Sequence, residues 1–179
     1  MPEIEIRPAV AEDIEKLSVF EHSYYSEYVW QMGQDIGSNV TKTDFQKTRL
    51  PRKVFVPYPR KREEIFGDLA KAEAFLVAAL DNVPVAYVKV QAEPESRIAR
   101  VTDLVVSASM RRQGIASGLL FACMDLISYR KFYALILEMQ SKNDPVITMA
   151  AKLGFKFCGF RDYYFPTNEL ALFFSRFAH

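Results

Sequence analysis

The chain is poor in the residues that build metal and disulfide sites. Its 179 residues include two cysteines, Cys123 and Cys158, and two histidines, His22 and His179. None of these stands at a metal-ligand spacing, which argues against a structural zinc. Two unforced thiols fit a reduced compartment. Charge of one sign is lacking too: 23 Lys and Arg face 22 Asp and Glu, a net charge of +1. That balance gives no global attraction to DNA or to an anionic membrane, so neither is expected as a partner. No apolar run reaches the roughly 18–20 residues of a membrane helix. The start, Met1 to Arg7, is charged where a secretory signal would be apolar. A soluble, cytoplasmic protein is expected. Repeats, low-complexity stretches and linkers are absent as well, and the length suits one domain over residues 1–179 with one sizeable core.

What is present is a run of strand and helix signals. Residues 3–7 read as a short strand, and residues 11–25 as an amphipathic helix carrying Ile14, Leu17, Val19 and Phe20. Residues 27–62 are irregular, aromatic first and basic later, with one or two strands in 45–56 limited by Pro51. Residues 61–72 suggest a short helix. Strands at 74–80 and 85–92 flank an Asp81-Asn82-Val83-Pro84 turn, which makes a hairpin. A strand at 98–106, a helix at 114–132 and a strand at 134–139 fit a βαβ crossover with two parallel strands. A helix at 144–152 and strands at 154–164 and 170–177 follow. The order implies a mixed sheet with helices packed on it, an α/β (α+β) architecture.

The most informative stretch is Arg111-Arg112-Gln113-Gly114-Ile115-Ala116-Ser117-Gly118. It follows a buried-looking strand and opens a long helix. The first helical turn has backbone N–H groups without internal partners, and the dipole is positive there. Gly114 admits close backbone approach and Ala116 adds little bulk. The result is a cradle for a phosphate or pyrophosphate, with Arg111 and Arg112 adding charge. No Gly-Lys-Ser/Thr follows, so it is not a Walker loop, and it is a poor dinucleotide fingerprint.

Arg111-x-x-Gly114-x-Ala116 resembles the signature of the GNAT acetyltransferases. Thr102-Asp103-Leu104-Val105-Val106 resembles that family's fourth strand, and Leu137-Glu138-Met139-Gln140-Ser141-Lys142-Asn143 its fifth strand with the terminal asparagine. Lys152-Leu153-Gly154-Phe155 is similar to the end of the next helix. The ordered set covers residues 75–177 well and the first 70 loosely. The surroundings of Glu138 and Asn143, with Tyr163-Tyr164 near Pro166, resemble the ribosomal-protein alanine N-acetyltransferases. Glu169-Leu170-Ala171-Leu172-Phe173-Phe174 is similar to streptothricin acetyltransferases.

The resemblance implies a mostly antiparallel sheet whose parallel fourth and fifth strands splay around acetyl-coenzyme A. It implies no metal, an amine acceptor, and a fold in which homodimers are common. The backbone of Leu104, Val105 and Val106 would pair with the pantetheine arm, and one N–H would hold the developing oxyanion. The pyrophosphate would sit on the amides from Arg112 through Gln113, Gly114, Ile115 and Ala116 to Ser117, and Asn143 would touch the cofactor. Glu138 is the expected base, with Asp103 its rival, since an acid inside an apolar strand is costly to keep. The family's usual acid, a tyrosine four residues before the Gly-Phe pair, is Ala150 here, so either Tyr163 or Tyr164 substitutes from the next strand or no acid is needed. A silent acyl-coenzyme A-binding module is the alternative that Ala150 favours. Tyr24, Tyr25, Tyr28 and Trp30 are expected to wall the acceptor site, Arg49 to Arg62 to be mostly solvated, and Cys158 to be a small buried hydrophobe.

Overall fold

The computed structural model describes residues 3–178. The elements run β1 (Ile4–Pro8), α1 (Ala11–Ser18), β2 (Tyr24–Ile36), β3 (Thr41–Val56), α2 (Arg62–Phe66), β4 (Ala74–Leu80), β5 (Val83–Glu93), β6 (Ile98–Val106), α3 (Ile115–Tyr129), β7 (Ala134–Gln140), α4 (Asp144–Lys152), β8 (Lys156–Arg161) and β9 (Ala171–Phe177). Seven strands form one sheet in the order β1-β4-β5-β6-β7-β9-β8. Every pairing is antiparallel except β6 with β7. The sheet is therefore mixed and open, with no closed barrel. Among the described residues no helix is long and apolar enough to cross a membrane.

Helices cover both faces. Leu119, Leu120, Cys123 and Ile127 of α3, with Ile147 and Ala150 of α4, meet Ala78, Val88, Val90 and Val101 in the larger core. On the opposite face Leu17 of α1 and Ile65 of α2 close over Val77, Tyr87 and Val105. Each fully buried Val, Leu or Ile side chain among them contributes about 1.5–3 kcal/mol. Asp81 and Asn82 both have positive φ, 49° and 64°. Such residues suit the two-residue turn that matches strand twist, and β5 accordingly starts at Val83 rather than Val85.

The first third departs from its sequence pattern. Helix α1 stops at Ser18 instead of running to 25. Asp13 caps it by accepting from Val10 N at 2.9 Å, Leu17 is its last buried residue, and Val19 is already 73% exposed. Residues 24–56 are a long hairpin, β2 paired with β3, separate from the main sheet. Its pairing breaks between Ser26 and Tyr28, where residues 50–53 loop out opposite Glu27. Pro51 has no N–H to donate and sits in that break. The hairpin lies over the end of the sheet: Trp30 N donates to Ser141 O at 2.9 Å, and the Phe45 ring packs on Phe157 and Phe160 of β8.

Two irregularities in β6 shape the site. Val101 pairs with Val90 and Asp103 with Lys89, so Thr102 is an extra residue, a bulge. Before it, Ala99 and Val101 face α3; after it, Leu104 and Val106 do. Arg100 and Asp103, three apart, therefore share the α2 face, and both line one cleft. The parallel pairing with β7 runs only from Ile98↔Ala134 to Val101↔Leu137. Beyond that rung the two strands fork.

Candidate active site

One arm of the fork is a strand edge with backbone to spare. Ser107 N bonds to Val85 O, so Ser107, Val105 and Asp103 turn their backbone toward β5. Alternation turns Leu104 and Val106 toward the open side. Arg111 Nε donates to Val106 O at 3.1 Å, which leaves Leu104 N, Leu104 O and Val106 N facing the fork. The strand runs on to the start of α3. Gly114 is the N-cap, with φ +82° and no atom within 4 Å of where a Cβ would stand. The first intrahelical bond is Gly118 N to Gly114 O, and among the described residues no side chain caps the helix. The N–H groups of Ile115, Ala116 and Ser117 thus point outward unpaired beside open space, a seat for an anion.

On the α2 face the fork opens into a cleft of about 450 Å³. Glu138 is at its floor, its side chain wholly buried. Its Oε1 accepts from Arg60 Nη2. Its Oε2 accepts from the Tyr164 hydroxyl at 2.7 Å and lies 3.5 Å from Arg100 Nη1. Burial, and then the bond to Glu138, raise the Tyr164 hydroxyl above the usual phenol range, so it carries its proton at neutral pH. Asp103, 2% exposed, accepts from the Tyr58 hydroxyl at 2.7 Å and from Thr102 Oγ1 at 2.9 Å, with Arg60 Nη1 at 3.6 Å. Lys89, 4% exposed, donates to the carbonyls of Glu64 and Ile65 at the end of α2. Arg100 also reaches Glu93 and the Tyr164 hydroxyl. The cleft thus holds two buried carboxylates, a protonated phenol and three cations within a few ångströms, bonded mainly to one another.

A second polar chain lies behind Asp103. The Tyr58 and Tyr87 hydroxyls are both pushed well above their ordinary range by burial, with Asp103 adding to it. The Tyr87 hydroxyl lies 2.9 Å from His22 Nε2, and His22 Nδ1 lies 2.7 Å from Phe20 O. A carbonyl only accepts, so Nδ1 carries the hydrogen and Nε2 accepts from Tyr87. Burial holds the His22 imidazole below its usual range, which fits that neutral form.

Glu138, Asp103 and Tyr164, all expected from the sequence, meet in this cleft, and Tyr163 does not: it is 74% exposed. Ala150 is fully buried in α4 and offers no hydroxyl. Asn143 is the N-cap of α4 beside the end of β7, and its side chain has no hydrogen-bond partner among the described residues. Gln113 and Arg112 are exposed at the cradle. Four expectations need correction. Val105 spends its backbone on β5 and its side chain on the α1/α2 core, so Leu104 and Val106 alone serve the fork. Arg111 points away from the cradle and holds Val106 O, Glu21 O and Ser23 O, acting as a clip between strand end and loop. Trp30 bonds Asp144 and Tyr24 bonds Gln140, so these two anchor the hairpin, and Tyr25 meets Phe55 edge-on within it; none of the three lines the cleft. Cys158 is exposed on β8, whereas Cys123 is core, its thiol pushed up to about 12 by burial. The sequence reading missed Arg60, Arg100 and Tyr58. Arg100 carried a signal, a charge between Ala99 and Val101; Arg60 looked like one more member of a basic run.

The GNAT acetyltransferase family model matches residues 41–155, which spans the hairpin's second strand, the fork and α4. The chain belongs to the GNAT acetyltransferase family. The solved structure of nourseothricin acetyltransferase superposes with a TM-score of 0.82 at 19% identity, covering 98% of this chain and 99% of that one. A streptothricin acetyltransferase from Bacillus anthracis str. Ames, solved with acetyl coenzyme A, gives 0.78 at 14% identity with 98% and 99% covered. The ribosomal-protein-S18-alanine N-acetyltransferase from Escherichia coli gives 0.71 at 16%, with 98% and 94% covered. At these identities the likeness is one of fold. A comparison with curated proteins returned no match. The forked β6–β7 pair, the uncapped α3 and the cleft are thus parts of a GNAT fold. Among the described residues no cluster of three metal-ligating side chains occurs.

Proposed function

We propose that this GNAT protein, working as a single domain, transfers an acetyl group from acetyl-coenzyme A to a primary amine by direct attack in a ternary complex. The observation that carries the reading is the continuity of the site. An open backbone edge at Leu104 and Val106 runs from the unpaired amides of α3 to a cleft holding Glu138, Asp103 and Tyr164. Acetyl-coenzyme A supplies the thioester that the amine attacks. The amides of Ile115, Ala116 and Ser117, with Arg112 and Gln113 at the rim, suit its pyrophosphate. Leu104 and Val106 suit a pantetheine arm laid along β6 as a further strand, with Asn143 across the gap.

An amine acceptor with pKa of about 8 to 10 arrives mostly as the ammonium ion. Glu138, directly or through a water, takes its proton, and Asp103 adds negative charge that favours the cation's entry. A β6 N–H holds the charge that develops on the carbonyl oxygen. The Tyr164 hydroxyl gives its proton to the departing thiolate and is reprotonated by Glu138 through their 2.7 Å hydrogen bond. The proton taken from the amine is thereby returned to sulfur, and no group is left changed. Tyr164 thus does from the loop before β9 what Ala150 cannot do from α4, which weakens the silent-module alternative. The cleft is lined by Glu64, Glu93, Asp103 and Glu138 against Arg60, Lys89 and Arg100, and this excess of acid suits a hydrophilic, cationic acceptor.

Thermal unfolding with and without acetyl-coenzyme A tests the first half. A ligand at a hundredfold excess over its Kd stabilises by about 2.7 kcal/mol, about 5–10 °C for a chain of this size. Thiol release on adding amines, both small molecules and peptides with free N-termini, tests the second. No shift at millimolar acetyl-coenzyme A overturns the acyltransferase reading; a shift without thiol release from any amine favours the silent module.

A further inference from the structure

Arg60 stands in the crotch of the fork. The last rung between β6 and β7 is Val101↔Leu137, so the first residues beyond it are Thr102 and Glu138. Arg60 joins these two. Its Nη1 donates to Thr102 O at 2.7 Å and its Nη2 to Glu138 Oε1. The same guanidinium lies 3.6 Å from Asp103 and 5.6 Å from the centre of the Phe165 ring. Its side chain is 20% exposed. Burial works to lower its basicity, but Asp103 and Glu138 outweigh that and raise it, so it is always charged. A half-buried carbonyl just past a broken ladder would otherwise recover a partner from the neighbouring strand. Here the side chain supplies that partner, at the one-residue bulge where β6 leaves β7.

We infer that Arg60 is a positioning residue, a strut that holds the β6–β7 fork open and fixes Glu138 at its base. The inference rests on the acetyltransferase reading for its consequence but not for its geometry. A planar guanidinium can serve a backbone carbonyl on one strand and a carboxylate on the other at once; an ammonium is a point donor and spans the two less well. Without the strut, Thr102 O is free to bond the facing amides of β7, and the fork zips toward Val106. The edge that would receive a pantetheine arm is then used up inside the sheet.

The test compares wild type with Arg60→Gln and Arg60→Lys by amide hydrogen exchange without ligand and by calorimetric titration with acetyl-coenzyme A. The expected result is increased protection in residues 102–106 and 138–140 of the glutamine variant. Acetyl-coenzyme A binding falls by about tenfold or more, the scale of a lost charged hydrogen bond, with the lysine variant in between. A merely destabilising substitution lowers protection across the sheet, and that outcome overturns the proposal, as does unchanged protection in both variants. If the wild-type chain does not bind acetyl-coenzyme A, the acetyltransferase reading fails, while the exchange comparison still decides whether Arg60 is a strut. Should the glutamine variant not fold, Arg60→Lys carries the same comparison.

Discussion

Gly114 separates backbone strain from ligand exclusion. Its φ of +82° lies where only glycine is at ease, and no atom comes within 4 Å of an added Cβ. Gly114→Ala therefore adds strain without a clash, about 1–2 kcal/mol, or roughly 2–8 °C in Tm for a chain this long. Gly114→Glu carries the same strain and places a carboxylate beside the amides of Ile115, Ala116 and Ser117. Both variants should fold and melt at similar temperatures. In titrations with acetyl-coenzyme A the alanine variant keeps most of its affinity, losing about tenfold at most. The glutamate variant repels the pyrophosphate and fills its seat, so the ligand-induced rise in Tm disappears. A glutamate variant that binds as well as the alanine variant would refute the idea that the start of α3 is the phosphate seat.

Tyr164→Phe removes the hydroxyl between Glu138 and Arg100 and should lower kcat by about 10²–10⁴-fold with little change in acetyl-coenzyme A affinity; an unchanged kcat makes Tyr164 a packing residue. His22 is held neutral in the fold, its affinity for a proton below that of the unfolded chain. Its contribution to stability is therefore complete above about pH 6.5 and is lost as pH falls below that value toward the folded pKa. Denaturant titrations between pH 7.5 and 5 should show a shallower decline for His22→Gln than for wild type, and parallel curves would remove His22 from the acid response. Ala150→Tyr, which restores the family's usual tyrosine, should destabilise the protein by about 1–3 kcal/mol through overpacking and leave turnover no faster, since position 150 is fully buried; a gain in kcat would show that Tyr164 is not the acid.

The parts of this chain that were legible from sequence are those where local pattern and tertiary environment agree. The boundaries of β4, β6 and α4 coincide with their patterns because each lies in the core, and apolar periodicity reports burial. The β2–β3 hairpin was not legible, since most of its residues are exposed on both faces and no alternation results. The site divides in the same way. Glu138 and Asp103 announce themselves as acids in apolar strands. Arg60 gives no such sign, because its partners Thr102, Asp103 and Glu138 lie 42, 43 and 78 positions away. Arg111 misleads in the opposite sense: it stands in the signature, yet its donors go to carbonyls of its own chain.

The bulge at Thr102 makes chain length, more than residue identity, the quantity on which the site depends. Removing one residue there leaves the faces as they are, since Asp103 then follows Val101 in strict alternation and stays on the α2 face, but it takes away the bulge and the Thr102 carbonyl that Arg60 holds. In a mutational scan of β6, many replacements of Thr102 survive because its hydroxyl serves only Asp103, whereas its deletion costs Arg60 its backbone partner and β6 the bulge at which it leaves β7.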